Sequence, residues 1–163
     1  EGLAEQLKGD SDYKFIQDLR AYCEKKVGKL TFPDAILKRI MLANNQDKGE
    51  EFVDKNYEQS IKELTWHLIK EQLAQAHGIK VDDNDVRESA RQMARTQFAQ
   101  YGMNNVPDDY LNGYADEMLK KRENIDSFVE AALDRKLAAT LKDVVKLNKK
   151  SVSLEEFNKL VNE

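Results

Sequence analysis

The sequence has one cysteine, two prolines and seven glycines among its 163 residues. Because a disulfide needs two cysteines, Cys23 cannot form one within the chain, which fits a reducing, cytoplasmic location. So few prolines and glycines exclude a fold of many short strands and tight turns. No apolar run reaches the roughly 18 residues of a membrane span, and no signal-peptide pattern opens the chain. These shortages favour long helices and no membrane partner.

Residues for catalysis or metal binding are equally scarce. The only histidines, His67 and His77, lie on one predicted helix and point in different directions. Cys23 lies on an apolar stripe, which favours a buried structural thiol over a nucleophile. The chain has no G-x-S-x-G elbow, P-loop or G-x-G-x-x-G fingerprint. The acidic pairs 82–83 and 155–156 lie at predicted helix starts, where capping explains them. The sequence therefore predicts no catalytic residue, no metal and no cofactor.

The charge balance is slightly acidic. The chain carries 26 Lys and Arg against 30 Asp and Glu, for a formal net charge of −4. Its basic clusters, at 120–122 and 146–150, have acidic neighbours in sequence, which indicates solvated helix faces. A nucleic-acid partner is not expected, and a helix-turn-helix regulator would need a basic recognition helix that the chain lacks.

Helix breakers and apolar residues spaced three or four apart predict an all-α fold. Ser153 with Glu156 has the spacing of a capping box, and Asp82 is placed to cap another helix. Val81 and Val86 could form a hydrophobic staple beside it. The helices are predicted over residues 11–27, 33–43, 50–77, 81–101, 107–118, 125–147 and from 153 onward.

Exposed apolar surface is the remaining candidate for function. Methionine and aromatic side chains cluster around the predicted turn at 102–107, and such side chains adapt to varied partners. Packing of the two flanking helices against each other is the simpler explanation for any one of them. A projecting pair of helices, however, is too thin to bury them all. The predicted binding residues are Met41, Phe52, Met93, Phe98, Tyr101, Met103, Tyr110, Tyr114 and Met118.

The order of these helices and four local signatures resemble the C-terminal domain of the trigger factor family of bacterial chaperones. The resemblance runs from about residue 13 to 161. Its motifs are helical patterns, and their order and spacing give the resemblance its specificity. The signatures are FPDAILKR at 32–39, WHLIKEQL at 66–73, GIKVDDNDV at 78–86 and VSLEEFNKL at 152–160.

The resemblance implies an elongated helical body with two projecting helical arms that form a cradle. Such a module would hold unfolded or nascent polypeptides without ATP and prevent their aggregation. The whole chain, 1–163, is then one chaperone module. Its implied parts are a body helix at 1–30, a first arm at 31–78, a second arm at 79–147 and a C-terminal capping helix at 148–163.

Full-length members of that family also carry a ribosome-docking domain and a prolyl isomerase domain of the FKBP type. The sequence shows neither, and it begins at Glu1 in the middle of a pattern, which suggests an excised fragment. We therefore expect no isomerase activity from this chain, and contact with the ribosome only through the missing domain. Self-association into a homodimer is left open.

Two other functions remain as alternatives. A periplasmic chaperone of the parvulin-linked type has a similar helical cradle, and an upstream signal peptide would identify it. A helical scaffold or adaptor would bind one folded partner through a single patch, whereas a chaperone binds many partners weakly.

Overall fold

The computed structural model describes the backbone of residues 2–162 and the side chains of residues 7–122 and 124–161. That part of the chain is helical and contains no strand, which confirms the all-α prediction. Its helices are α1 (Gly2–Val27), α2 (Asp34–Asn44), α3 (Gly49–Ala76), α4 (Asp83–Gln100), α5 (Asp108–Leu119), α6 (Arg122–Val144) and α7 (Leu154–Asn162). None of the helices described is long and apolar enough to span a membrane.

Helix α6 begins at Arg122, three residues before its predicted start, and two further predicted helix ends were wrong. The first helix begins at Gly2 and continues through Gly9, whereas the start was predicted at residue 11. One interior glycine costs a helix only about 1 kcal/mol, which the turns on either side can offset. The long C-terminal helix α6 ends at Val144, before the predicted end at 147. Val145 is extended there, with φ −91° and ψ 152°, as suits a β-branched residue.

Both predicted caps are confirmed. The Asp85 backbone N–H donates to Asp82 Oδ1 at 3.0 Å, and the Asp82 N–H donates to Asp85 Oδ2 at 2.9 Å. At α7, the Glu156 N–H donates to Ser153 Oγ at 3.2 Å, and the Ser153 N–H donates to Glu156 Oε2 at 3.0 Å. Each box satisfies two N–H groups that a helix start leaves without intrahelical partners.

The chain divides into two compact units. Unit 1 contains the beginning of α1, up to residue 17, and everything from residue 74 onward; unit 2 contains residues 18–73. The boundaries predicted for a body and two arms stay a prediction, as does the docking of α7 on a partner helix.

In unit 1, helices α4, α5 and α6 pack on one another. Ala90 and Ala115 are fully buried against Phe128, which is 4% exposed. The small alanines let the helix backbones approach closely, and the phenylalanine ring fills the space between them. Leu137 and Leu141 are among the largest fully buried side chains and extend the core along α6.

In unit 2, the core lies along α3. Val53, Trp66 and Ile69 are each less than a tenth exposed. The Arg20 guanidinium of α1 lies 5.9 Å from the Trp66 ring centroid. Arg20 also makes two hydrogen bonds to the Glu63 carboxylate, both 3.0 Å long, which fix α1 to α3. The hydrogen bond from Arg20 is the largest of the effects that lower the pKa of Glu63.

The start of α4 is tied to α6 by charge. Lys136 Nζ pairs with the Asp85 carboxylate and donates to the Lys80 carbonyl at 2.6 Å. Arg135 Nη2 donates to the Asp85 carbonyl at 3.1 Å. Two hydrogen bonds lower the pKa of Asp85, the larger effect coming from Lys136 and the next from the Asp82 backbone N–H. The same carboxylate thus caps α4 and holds it to α6.

Replacing Lys136 with Met is expected to raise the pKa of Asp85 towards its ordinary value of 3.8. Because the folded-state pKa is lowered, ionised Asp85 stabilises the fold above that ordinary value, and the contribution is lost as the pH falls through the folded pKa. Lys136→Met should therefore destabilise the chain at neutral pH, and the difference should vanish in acid. Carboxyl NMR titration and urea unfolding at several pH values would measure both effects.

Lys120→Met is the matched control, because Lys120 pairs with Glu117 one helical turn earlier and does not touch Asp85. An Asp85 that titrates identically in the parent chain and in Lys136→Met would show that the pair does not form in solution.

Candidate functional site

Five large side chains are exposed around the turn between α4 and α5, which we call the α4–α5 surface. They are Tyr101 (81% exposed), Tyr110 (72%), Met103 (48%), Met93 (46%) and Tyr114 (42%). Single exposed apolar residues are ordinary on protein surfaces, but a group this close in sequence, on two helices that pack together, marks a candidate binding surface.

Backbone hydrogen bonds hold the turn that carries these side chains. The N–H of Met103 donates to the Phe98 carbonyl at 3.0 Å, and the N–H of Gly102 donates to the Ala99 carbonyl at 2.9 Å. Pro107 occupies the N-cap position, so α5 begins at Asp108 rather than at the predicted residue 107. The α4–α5 surface therefore rests on an ordered turn.

Phe98 supports the surface from below. It is partly buried, and its ring centroid lies 5.3 Å from that of Tyr114, with the ring planes at 59°. The Tyr114 hydroxyl donates to Gln97 Oε1 at 3.0 Å, which fixes the ring further. Tilted aromatic contacts at this separation stabilise by roughly 1 kcal/mol. Phe98 thus positions Tyr114, and Tyr114 presents its other side to solvent.

Ion pairs join α4 to α5 beside the apolar side chains. Arg87 Nη2 lies 2.8 Å from Asp116 Oδ2, and Arg91 pairs with Asp108. Both pairs cross between the helices and hold α4 against α5, and in each pair the two charges neutralise each other.

The remaining predicted binding residues lie elsewhere. Met118 is partly buried and packs on the cluster of Ala90, Ala115 and Phe128, which gives it a place in the core. Met41 and Phe52 belong to unit 2 and are partly buried. A binding role for each predicted residue stays a prediction.

Unit 2 contains an open cavity that the sequence did not predict. Its volume is about 670 Å³, and we call it the α3 groove. The non-helical link between α1 and α2 forms one side, and α3 forms the other. The only sequence signal for it was a short link between two predicted helices. The lining residues are Glu24, Gly28, Lys29, Leu30, Thr31, Phe32, Asp34, Tyr57, Glu58, Ile61, Lys62 and Thr65.

One hydrogen bond crosses the end of the α3 groove. The Tyr57 hydroxyl donates to Asp34 Oδ1 at 2.6 Å. The pKa of Tyr57 is raised to about 12, mainly by desolvation and then by the hydrogen bond to Asp34. Tyr57 therefore stays protonated at any physiological pH, and the hydrogen bond keeps its donor.

The link along the groove has free backbone groups. Within the described chain, the N–H groups of Lys29, Leu30 and Thr31 donate to no described acceptor. Phe32 accepts from the Asp34 N–H at 2.9 Å, which turns the chain into α2. Backbone donors beside apolar side chains are a feature that another polypeptide can use.

The described side chains include no group of three His, Cys, Asp or Glu that could hold a metal ion. Cys23 is half-buried rather than buried as predicted, and burial raises its pKa, which lowers the fraction of reactive thiolate.

Comparison with known protein families gives a match over most of the chain. The family model described as "Probable trigger factor, C-terminal domain" matches residues 11–161. Searches of curated proteins and of solved structures find no match to the chain.

Proposed function

The chain belongs to the family of trigger factor C-terminal domains, and from this we propose that it is a chaperone module that binds unfolded or nascent polypeptides without ATP. The observation that carries the proposal is the α4–α5 surface, whose five large side chains are 42% to 81% exposed on an ordered turn. Unfolded chains expose apolar segments, and a surface of this kind can cover them.

Burial of apolar area supplies the attraction. Covering apolar surface stabilises a complex by about 25 cal/mol per Å². Ordering of the client and of interface side chains offsets much of this gain. A small surface such as this one therefore binds each client segment weakly and releases it quickly. Several such contacts on one unfolded chain add up through their high local concentration.

The ordered support suits this role. Because the Phe98–Tyr114 ring contact and the backbone bonds of the turn fix the side chains in advance, less entropy is lost on binding. The methionines at the edge, Met93 and Met103, can still change rotamer to fit different client side chains. A rigid centre with adaptable edges fits many clients better than one partner.

The matched family is that of the C-terminal domain, which is distinct from the prolyl isomerase domain. We propose that this chain supplies client binding and does not isomerise prolyl bonds. Cytoplasmic location and ribosome contact through another domain are part of the same proposal.

Suppression of aggregation tests the function. A model enzyme unfolded in guanidinium chloride is diluted into buffer with and without the chain, in the absence of ATP, while light scattering is followed. We expect equimolar chain to reduce scattering, because clients bind faster than they aggregate. Serum albumin at equal mass is the control for non-specific crowding.

Absence of suppression at several-fold excess of folded chain would count against the chaperone. Capture of one folded protein at nanomolar affinity, with no effect on aggregation, would favour the scaffold alternative instead.

A further inference from the structure

We propose that residues 29–48 form a strap that opens to admit an extended polypeptide segment into the α3 groove. The strap comprises the non-helical link after α1, helix α2 and the turn before α3. The inference rests on the proposed function for the identity of the occupant. The opening of the strap itself rests only on the contacts within unit 2.

The strap contributes little to the core. Helix α2 contains no buried residue, and Ile36 and Ile40 on its outer face are 57% and 52% exposed. Segments with few buried apolar contacts open at a lower free energy than the elements around them. By contrast, α3 buries Val53, Trp66 and Ile69. We therefore expect α2 to detach while α3 stays folded.

Polar contacts at the surface hold the strap closed. Lys38 Nζ lies 2.8 Å from Asp54 Oδ1 and 5.1 Å from the Tyr57 ring centroid. The Tyr57 hydroxyl donates to Asp34 Oδ1 at 2.6 Å. Exposed pairs of this kind stabilise only weakly, because water screens the charges. Such contacts are strong enough to favour the closed strap and weak enough to break often.

Glycines stand at both ends of the strap. Gly28 has φ +72° and Gly49 has φ +74°, a left-handed conformation that glycine adopts without strain. An added Cβ at either position would meet no atom within 4 Å, so space does not constrain them. Two such positions can absorb the backbone rotation that a hinged segment needs.

The α3 groove lies between the strap and α3, so movement of the strap changes its width. Leu30, Phe32 and Ile61 line it with apolar surface, and residues 29–31, which also line it, have backbone N–H groups that donate to no described acceptor. An extended polypeptide offers both an apolar side chain and backbone carbonyls, whatever its sequence. This combination makes an unfolded segment the occupant that the groove fits.

Hydrogen exchange followed by mass spectrometry tests the opening. Tyr57→Phe and Lys38→Met each remove one contact that holds the strap. Combined, they should speed amide exchange in 34–44 about 2- to 30-fold, because each exposed contact contributes little. Exchange around Val53 and Trp66 should stay unchanged. Lys55→Met is the matched control, because Lys55 pairs with Glu51 inside α3, 2.9 Å away, and does not touch the strap.

A second experiment tests whether opening of the strap controls access to the α3 groove. It measures binding of a fluorescent, permanently unfolded protein, such as reduced and carboxymethylated α-lactalbumin. If the open strap is the minor, binding-competent state, affinity should rise by the same factor as the exchange rate. Exchange in 34–44 as slow as in the core of α3, and unaltered in the double variant, would overturn the strap. Faster exchange with unchanged affinity would show that opening of the strap does not control binding in the α3 groove. If the parent chain binds no unfolded protein at all while exchange follows the prediction, the strap stands and the proposed function fails.

Discussion

Replacing Met93, Tyr101 and Tyr110 together with serine should weaken binding of unfolded protein by at least about tenfold and reduce suppression of aggregation in proportion. The three side chains are 46%, 81% and 72% exposed, so they contribute little to the folded core and much to any partner's contact area. Aromatic anchors at interfaces commonly contribute more than about 1 kcal/mol each, although their effects are not additive. Fluorescence anisotropy with a labelled unfolded protein would measure the loss.

The same variant should keep its fold. Helical circular dichroism and the urea midpoint should change little, because surface substitutions usually alter stability by about 0.5 kcal/mol or less each. Phe98 is left unchanged in this variant because its ring packs on Tyr114. Removing it would alter the position of Tyr114 as well as the apolar surface.

A control variant separates the surface from general apolar exposure. Tyr13, Tyr22 and Val144 are 57%, 61% and 61% exposed and belong to α1 and α6, not to the α4–α5 surface. Serine at these three positions should leave client binding nearly unchanged. Equal losses in the two triple variants would show that any exposed apolar side chain serves, and that the α4–α5 surface has no special role.

The fold could be predicted from sequence wherever local chemistry decides it. The cap at Asp82 and the capping box at Ser153 were predicted correctly, because a cap involves residues only three apart. The start of α1 was predicted wrongly, because a glycine such as Gly9 ends a helix only when its neighbours do not continue it. The end of α6 depends on a competition between helix and extended conformations at Val145 that spacing alone does not settle.

The candidate site was harder to predict for a related reason. Tyr110, Tyr114 and Met118 follow one another at four-residue spacing on α5, so periodicity places all three on one side of the helix. Yet Tyr110 is 72% exposed, whereas Met118 packs on the buried cluster at the other end. The difference comes from where α4 and α6 cover α5, which is a tertiary property. The α3 groove is tertiary in the same sense, since residues of the strap and of α3 meet only after folding.

Cutting Phe128 back to alanine should destabilise unit 1 by about 3–5 kcal/mol. Phe128 is 4% exposed and packs between Ala90 and Ala115, both fully buried. Because two of its neighbours are already alanines on rigid helices, the structure cannot close around the space that the ring leaves. The loss therefore combines the transfer free energy of the ring with the cost of a cavity. Urea unfolding followed by circular dichroism would measure it, and hydrogen exchange in α4 would place it in unit 1.

Trp66 provides an independent signal from the other unit. It is the only tryptophan in the chain and lies in unit 2, so its fluorescence reports the unfolding of residues 18–73. In Phe128→Ala, a change in Trp66 fluorescence at the same urea concentration as in the parent chain, with the helical signal lost at a lower concentration, would show that the two units unfold separately. Phe128→Leu should recover part of the stability by filling part of the space, and Tyr110→Ala, which removes an exposed ring from the same unit, should cost about 0.5 kcal/mol or less. A loss below about 1 kcal/mol for Phe128→Ala would mean that the cluster can collapse after all, and that its alanines do not hold the helices at a fixed spacing.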